Sequence, residues 1–281
     1  MVDRSFKIGV FDSGAGGLTV LKELVKAMPH CSYLYFADSA NCPYGNKPQD
    51  EIVALSTRIT RFLLSKGCDL IVVACNTATA AAIDHLRASF GVPFVGMEPA
   101  VKPAAIRTKT NSIGVLATAG TFKGRLYKET SKRYAAEVAV CYQVGEGLVE
   151  LVEQGKAESD EADALLRKYV DPMLVRGIDE LVLGCTHYPF FIPALRRILP
   201  SSVEIVDPSP AVAKQAVRLL NGVSIAGCNS RSHEPSVAFY SSGDTAVLQS
   251  LVYVLEQKYD VLFDLPTFEA HVDLSAFTHL P

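Results

Sequence analysis

No two cysteines in this chain are spaced Cys-x-x-Cys, and the total of seven is odd. Those facts argue against a disulfide framework and against a zinc-finger type of structural site, and they suit a reducing compartment. A basic excess is also missing. The net charge is −3, which gives no electrostatic footprint for nucleic acid and no attraction to an anionic membrane. No apolar run approaches the roughly 20 residues of a spanning helix. Met1 to Lys7 is too polar and charged for a secretory leader, so the expected location is the cytoplasm. Low-complexity tracts are absent as well. What remains is a chain of 281 residues, 49% hydrophobic and 20% charged, the composition of an ordinary globular enzyme with one large or two mid-sized domains.

Short, continuous apolar runs read as strands buried on both faces: residues 8–11, 33–36, 70–74, 94–97, 113–117, 138–142, 181–184, 203–206 and 237–240. Helical stretches at 18–28, 49–65, 77–89, 123–134, 147–153, 161–175, 193–199 and 244–257 separate most of them. Pro29 and Gly67 act as helix stops. This alternation predicts the α/β class, with parallel sheets flanked by helices. Nine strands are many for one sheet, so two domains are expected. Residues 1–97 plus about 208–281 would form the first, and 98–207 the second. Residues 221–235 read as a surface loop, and the tail from Asp264 reads as irregular.

Two segments repeat one pattern. Leu70-Ile71-Val72-Val73-Ala74-Cys75-Asn76-Thr77 and Glu180-Leu181-Val182-Leu183-Gly184-Cys185-Thr186-His187 each run from apolar residues through a small residue to a Cys and then polar residues. A single Cys after a buried strand is usually core filler. A second copy points instead to matched catalytic groups, one from each half. Thr77 is placed to cap the next helix, and a thiol beside a helix N-terminus has a lowered pKa. His187 can hydrogen-bond the Cys185 thiol or a shared ligand. Zinc there would need further ligands that the local sequence does not supply, so no metal is expected.

Asp12-Ser13-Gly14-Ala15-Gly16-Gly17 joins the first strand to a helix. It lacks Gly-x-Gly-x-x-Gly spacing, and no Gly-Lys-Ser/Thr follows, which weakens a nucleotide reading. Its N–H groups would suit a carboxylate equally well. Pro43-Tyr44-Gly45 closes a loop after the second strand and would bring a phenol and bare backbone to the same crevice. Glu153 alone reads as a solvated acid at a helix end.

Together, Asp12-Ser13-Gly14, Pro43-Tyr44-Gly45, Ala74-Cys75-Asn76-Thr77-Ala78, Glu98-Pro99-Ala100 and Gly184-Cys185-Thr186-His187-Tyr188-Pro189 resemble the glutamate racemases, a branch of the cofactor-independent aspartate/glutamate racemase family. The resemblance implies two pseudo-symmetric α/β domains with the active site in the cleft between them. It implies interconversion of L- and D-glutamate without pyridoxal phosphate or any other cofactor, supplying D-glutamate for peptidoglycan. By motif, Cys75 and Cys185 would be the acid/base pair. Asp12 would assist Cys75, while His187 and Glu153 would assist Cys185. Asp12, Ser13, Tyr44, Gly45, Asn76, Thr77, Thr118, Thr186 and His187 would hold substrate. Many members carry a basic residue shortly before Pro-Tyr-Gly; here Ala40-Asn41-Cys42 occupies that stretch. The resemblance leaves room for a homodimer.

Such chemistry needs a sulfur roughly 3–3.5 Å from the reacting carbon on each face, hence sulfurs about 6–8 Å apart. Donors must take up the charge that moves onto the carboxylate. The rival readings are aspartate racemase or a related cysteine-dependent isomerase, a hydrolase with Cys185 as nucleophile, and a non-catalytic amino-acid-binding module.

Overall fold

A computed structural model describes residues 6–134, 138–222, 236–259, 263 and 266–278. Its first half begins with β1 (Lys7–Asp12), α1 (Leu18–Ala27), β2 (Ser32–Ala37), α2 (Gln49–Ser65), β3 (Leu70–Val73), α3 (Asn76–Ser89) and β4 (Phe94–Gly96). After α4 (Val101–Arg107) come β5 (Ser112–Ala117), α5 (Ala119–Lys123), α6 (Arg125–Tyr134), β6 (Ala139–Val144), α7 (Leu148–Glu153), α8 (Asp160–Val175), β7 (Glu180–Gly184), α9 (Ile192–Ile198) and β8 (Glu204–Val206). The chain closes with α10 (Ser209–Gly222), β9 (Val237–Ser241), α11 (Ala246–Tyr259) and β10 (Thr267–Glu269).

The strands form two sheets, one of six in the order β10-β9-β2-β1-β3-β4 and one of four in the order β6-β5-β7-β8. Every pairing is parallel. Strip β9 and β10 from the first sheet and the two orders are the same, with β1 and β5 as counterparts and β3 and β7 as counterparts. Central strands explain the continuous apolar runs: Ile8, Val10, Ile71 and Val72 are fully buried in one sheet, and Ile113, Val115, Leu181 and Val182 in the other. Each such side chain contributes about 1.5–3 kcal/mol of burial free energy. In an open parallel sheet, ligands bind beyond the carboxyl ends of strands where the strand order reverses. Here those points are the ends of β1 and β3 in one half and of β5 and β7 in the other.

Some elements differ from the sequence reading. The helix expected over 123–134 starts at Arg125, because Gly124 turns extended and closes a separate short helix, α5, at Lys123. Residues 209–222, unread as a helix, form α10, which packs on α1. The tail is not wholly irregular: β10 pairs with β9 at Phe268↔Phe239, and their rings stack at 4.9 Å. Cys228 and most of the loop expected at 221–235 lie outside the described residues. None of the six described cysteines is in a disulfide.

Candidate active site

Cys75 follows β3 and caps α3, and Cys185 follows β7, so the two thiols occupy equivalent positions in the two halves. Both line one small cleft, together with Ser13, Tyr44, Gly45, Asn76, Thr77, Thr118, Thr186 and His187. The cleft is narrow: only ≈ 10 Å³ of it admits the centre of a water molecule. That is room for about one water, so its walls must part before an amino acid can enter.

Cys75 is 5% exposed, and its Sγ accepts the Ala78 N–H at 3.4 Å and lies 3.7 Å from Ser13 Oγ. The sequence predicts a lowered pKa from the helix N-terminus. The structure reverses the sign: burial, then the Asp12 charge, push the thiol well up, and the Ala78 N–H only partly offsets them. The free enzyme therefore carries Cys75 as a protonated thiol near neutral pH.

Asp12 ends β1 and is fully buried. Its Oδ1 accepts Ser13 N–H at 2.6 Å and Ser13 Oγ at 3.2 Å; its Oδ2 accepts Gly17 N–H at 2.5 Å and the Thr186 hydroxyl at 3.1 Å. Burial raises its pKa, while the His187 charge and the bonds from Cys75, Ser13 and Gly17 pull it back. Asp12 thus stands behind the cleft wall, in contact with the Cys75 thiol, and does not line the cleft itself. Thr186, from the other half, spends its hydroxyl on this carboxylate.

On the opposite wall, Cys185 Sγ lies 3.8 Å from His187 Nδ1, and His187 Nε2 lies 2.7 Å from Glu153 Oε1. Glu153 ends α7, a helix launched from Gly147 at φ +82°, where a side chain would be strained. It is no solvated acid. Oε1 also accepts the Ala15 N–H at 2.7 Å, tying the second half to the glycine loop of the first. Burial opposes the charge on His187, yet hydrogen bonds to Cys185, Cys42 and Glu153 hold its pKa well above the ordinary value. Burial would likewise raise Glu153, but the bond to His187 and its charge draw it down.

The glycines have a different use from the one expected. A Cβ on Gly14 would sit 2.2 Å from Glu153 Oε1, and one on Gly16 would sit 2.3 Å from His187 Nδ1. Bare backbone is needed so that the loop can pack on the His187–Glu153 pair. The Ser13, Ala15 and Gly17 N–H groups are already committed to Asp12 and Glu153 and do not point to a ligand carboxylate. The Tyr44 phenol is committed too, donating to Asp38 Oδ2 at 2.5 Å. Asn76 is the opposite case: it is 3% exposed, and neither its Oδ1 nor its Nδ2 has a partner. A buried amide with both ends unsatisfied is costly, and here it lies in the wall of the cleft. Thr77 and Thr118, from opposite halves, share a hydrogen bond of 2.9 Å, and Thr118 shares another of 2.9 Å with Thr121.

Three contributors escaped the sequence reading. Cys42, just before Pro43-Tyr44-Gly45, has its Sγ 3.9 Å from Glu153 Oε1. Tyr35 fixes the glycine loop through a bond of 2.9 Å to the Gly14 carbonyl. Thr121 supports Thr118. Only Cys42 left a signal, as a thiol directly attached to a motif already singled out.

A thiol from each half thus meets in one cleft, Cys75 beside Asp12 and Cys185 beside His187, within an α/β fold. The chain belongs to the Asp/Glu/Hydantoin racemase family, whose model matches residues 8–216. It is 45% identical over 249 residues to a glutamate racemase of Herpetosiphon aurantiacus, covering 89% of this chain and 97% of that protein. Among solved structures it resembles Escherichia coli glutamate racemase in complex with L-glutamate and the activator UDP-MurNAc-ala, at 30% identity and a TM-score of 0.82 over 96% of this chain and 100% of that one. It also resembles a Francisella tularensis glutamate racemase in complex with D-glutamate, at 26% identity and a TM-score of 0.79 over 97% and 99% of the two chains.

Proposed function

We propose that this chain interconverts L- and D-glutamate by moving a proton between the two faces of Cα, with Cys75 and Cys185 as the acid/base pair. The observation that carries the reading is the equivalence of the two thiols: each follows the same strand of a repeated sheet, and both face one cleft. Relatives that bind L-glutamate and D-glutamate support the substrate.

In this reading one sulfur removes the Cα proton as the other delivers one to the far face. The barrier is the weak acidity of Cα–H, so charge must be stabilised as it moves onto the carboxylate. The unsatisfied Asn76 amide, with the Thr77 and Thr118 hydroxyls, offers donors for that purpose. The protonated Cys75 is poised to give a proton, and Asp12 behind it takes one back when the reaction runs in reverse. Cys185 accepts on its own side, and His187, held in place by Glu153, shares the proton with it. Closure of the 98–207 half onto the rest excludes water and strengthens each contact. Two residues thus exchange roles between the two directions, as identical chemistry on mirror-image substrates demands. We place the enzyme in the cytoplasm, feeding D-glutamate to cell-wall synthesis; among the described residues no helix is long and apolar enough to cross a membrane.

Circular dichroism of L-glutamate and, separately, D-glutamate with the purified protein and no added cofactor should show both signals decaying to zero. In deuterium oxide the product should carry deuterium at Cα. Decay of L-aspartate in preference to L-glutamate would move the assignment to the aspartate branch. No exchange with any amino acid would reduce the site to a binding role.

A further inference from the structure

The Cys42 thiol neither lines the cleft nor moves a proton in the reaction above, yet it sits beside Glu153 and His187, which serve Cys185. Its Sγ is 3.9 Å from Glu153 Oε1, which in turn lies 2.7 Å from His187 Nε2. One donor atom each from Cys42, Glu153 and His187 lies within 4.8 Å of the other two. Thiol, imidazole and carboxylate together form a donor set for a borderline-soft divalent ion, with bond lengths of about 2.0–2.3 Å. The floor beneath them is bare backbone, since even a Cβ on Gly14 would fall 2.9 Å from Cys42 Sγ. Unlike Cys75 and Cys185, Cys42 is only half-buried, which gives an ion a route in.

We propose that Zn²⁺, or a thiophilic divalent cation like it, binds Cys42, Glu153 and His187 as an inhibitory site. The thiol proton of Cys42 and the proton on the ligating ring nitrogen of His187 pass to solvent as the ion takes their place, and water fills the fourth position. With zinc on Nε2, the nitrogen that faces Glu153, the ring can hand its Nδ1 proton to Cys185 only by becoming an imidazolate, and Glu153 is drawn off its ion pair. Binding of the ion rests on geometry alone; inhibition rests in addition on the role given to His187 above. Mg²⁺, which prefers oxygen ligands, has no place here.

The test is calorimetric titration of the intact protein with Zn²⁺ alone, without substrate. One site is expected, tighter at about pH 8 than at about pH 6 because protons are released. Titration with Co²⁺ should give a thiolate-to-cobalt absorption band. Cys42→Ser and Cys42→Ala should each weaken Zn²⁺ binding by roughly tenfold or more, abolish that band and raise the half-inhibitory Zn²⁺ by the same factor. The metal-free rate of each variant is the reference against which its Zn²⁺ inhibition is read. Unchanged Zn²⁺ affinity, or a retained cobalt band, in both variants overturns the site and places the ion on another thiol. A protein that binds Zn²⁺ as described but racemises nothing upholds the ion site and sinks the functional reading instead.

Discussion

His187 bridges Glu153 and Cys185 with a single buried ring, Nε2 at 2.7 Å from the carboxylate and Nδ1 at 3.8 Å from the sulfur. Its pKa is raised although burial alone would lower it; that of Glu153 is lowered although burial alone would raise it. A raised histidine contributes stability that is complete below its ordinary 6.5 and fades as pH climbs through the folded value. A lowered glutamate contributes above its ordinary 4.5 and loses this as pH falls through its folded value. The pair is therefore strongest between those limits. Glu153→Gln should cost about 3 kcal/mol near neutrality and progressively less in alkaline solution, where the wild-type ring is neutral as well. Urea midpoints across a pH series check this; a cost that does not shrink with rising pH excludes the ion pair.

The thiols make a sharper prediction. Because the enantiomers are equal in free energy, net racemisation in Cys75→Ser and in Cys185→Ser must fall by the same factor from either side, about 10²–10⁴. Proton exchange without inversion need not. Each variant keeps one intact wall, so each should still wash deuterium into the enantiomer that faces it, and the two variants should choose opposite enantiomers. NMR of Cα–H loss from L- and D-glutamate in deuterium oxide reads this out. The same preference in both variants would mean that only one thiol touches Cα.

Asn76→Ala separates binding from folding. The amide has no partner in the fold, so its removal should leave stability within about 0.5 kcal/mol or raise it. The KM for glutamate should nevertheless rise by about tenfold, equivalent to one lost hydrogen bond to a charged group. A large drop in melting temperature would show that the amide is structural.

Gly16→Ala tests the packing of the loop on the histidine. The added methyl would lie 2.3 Å from Nδ1, and the ring must swing away to relieve it. A displacement of about 1 Å in a proton relay costs on the order of 10² in rate. The variant should fold, bind glutamate with little change in KM and lose kcat. Activity within twofold of wild type would remove His187 from the relay.

The parts of this site that could be read from the chain are those in which a few adjacent residues carry the chemistry. Cys75-Asn76-Thr77 and Cys185-Thr186-His187 each announce themselves through a strand that ends in a thiol. Glu153 on its own reads as a solvated acid and gained a role only through the family resemblance, because its meaning comes from Ala15 and His187, residues far away in sequence that only the docking of α7 brings near. Cys42 acquires its neighbours the same way. The sign of the Cys75 shift was misread because local helix geometry is visible in sequence, whereas burial beside Asp12 is not. Among the secondary elements, α10 was missed because Pro208 and Pro210 frame its start, and β10 because three residues on a sheet edge carry too short a pattern.

Thr77 lines the catalytic cleft and also an outer groove bordered by Lys47, Asp84, Lys123 and Arg125. Its bond to Thr118 spans the boundary between those two spaces. Such a bond is worth only about 1 kcal/mol, little enough for thermal motion to undo it many times in a second. Any molecule that moves between the groove and the cleft at this point would find those hydroxyls in its way until they separate.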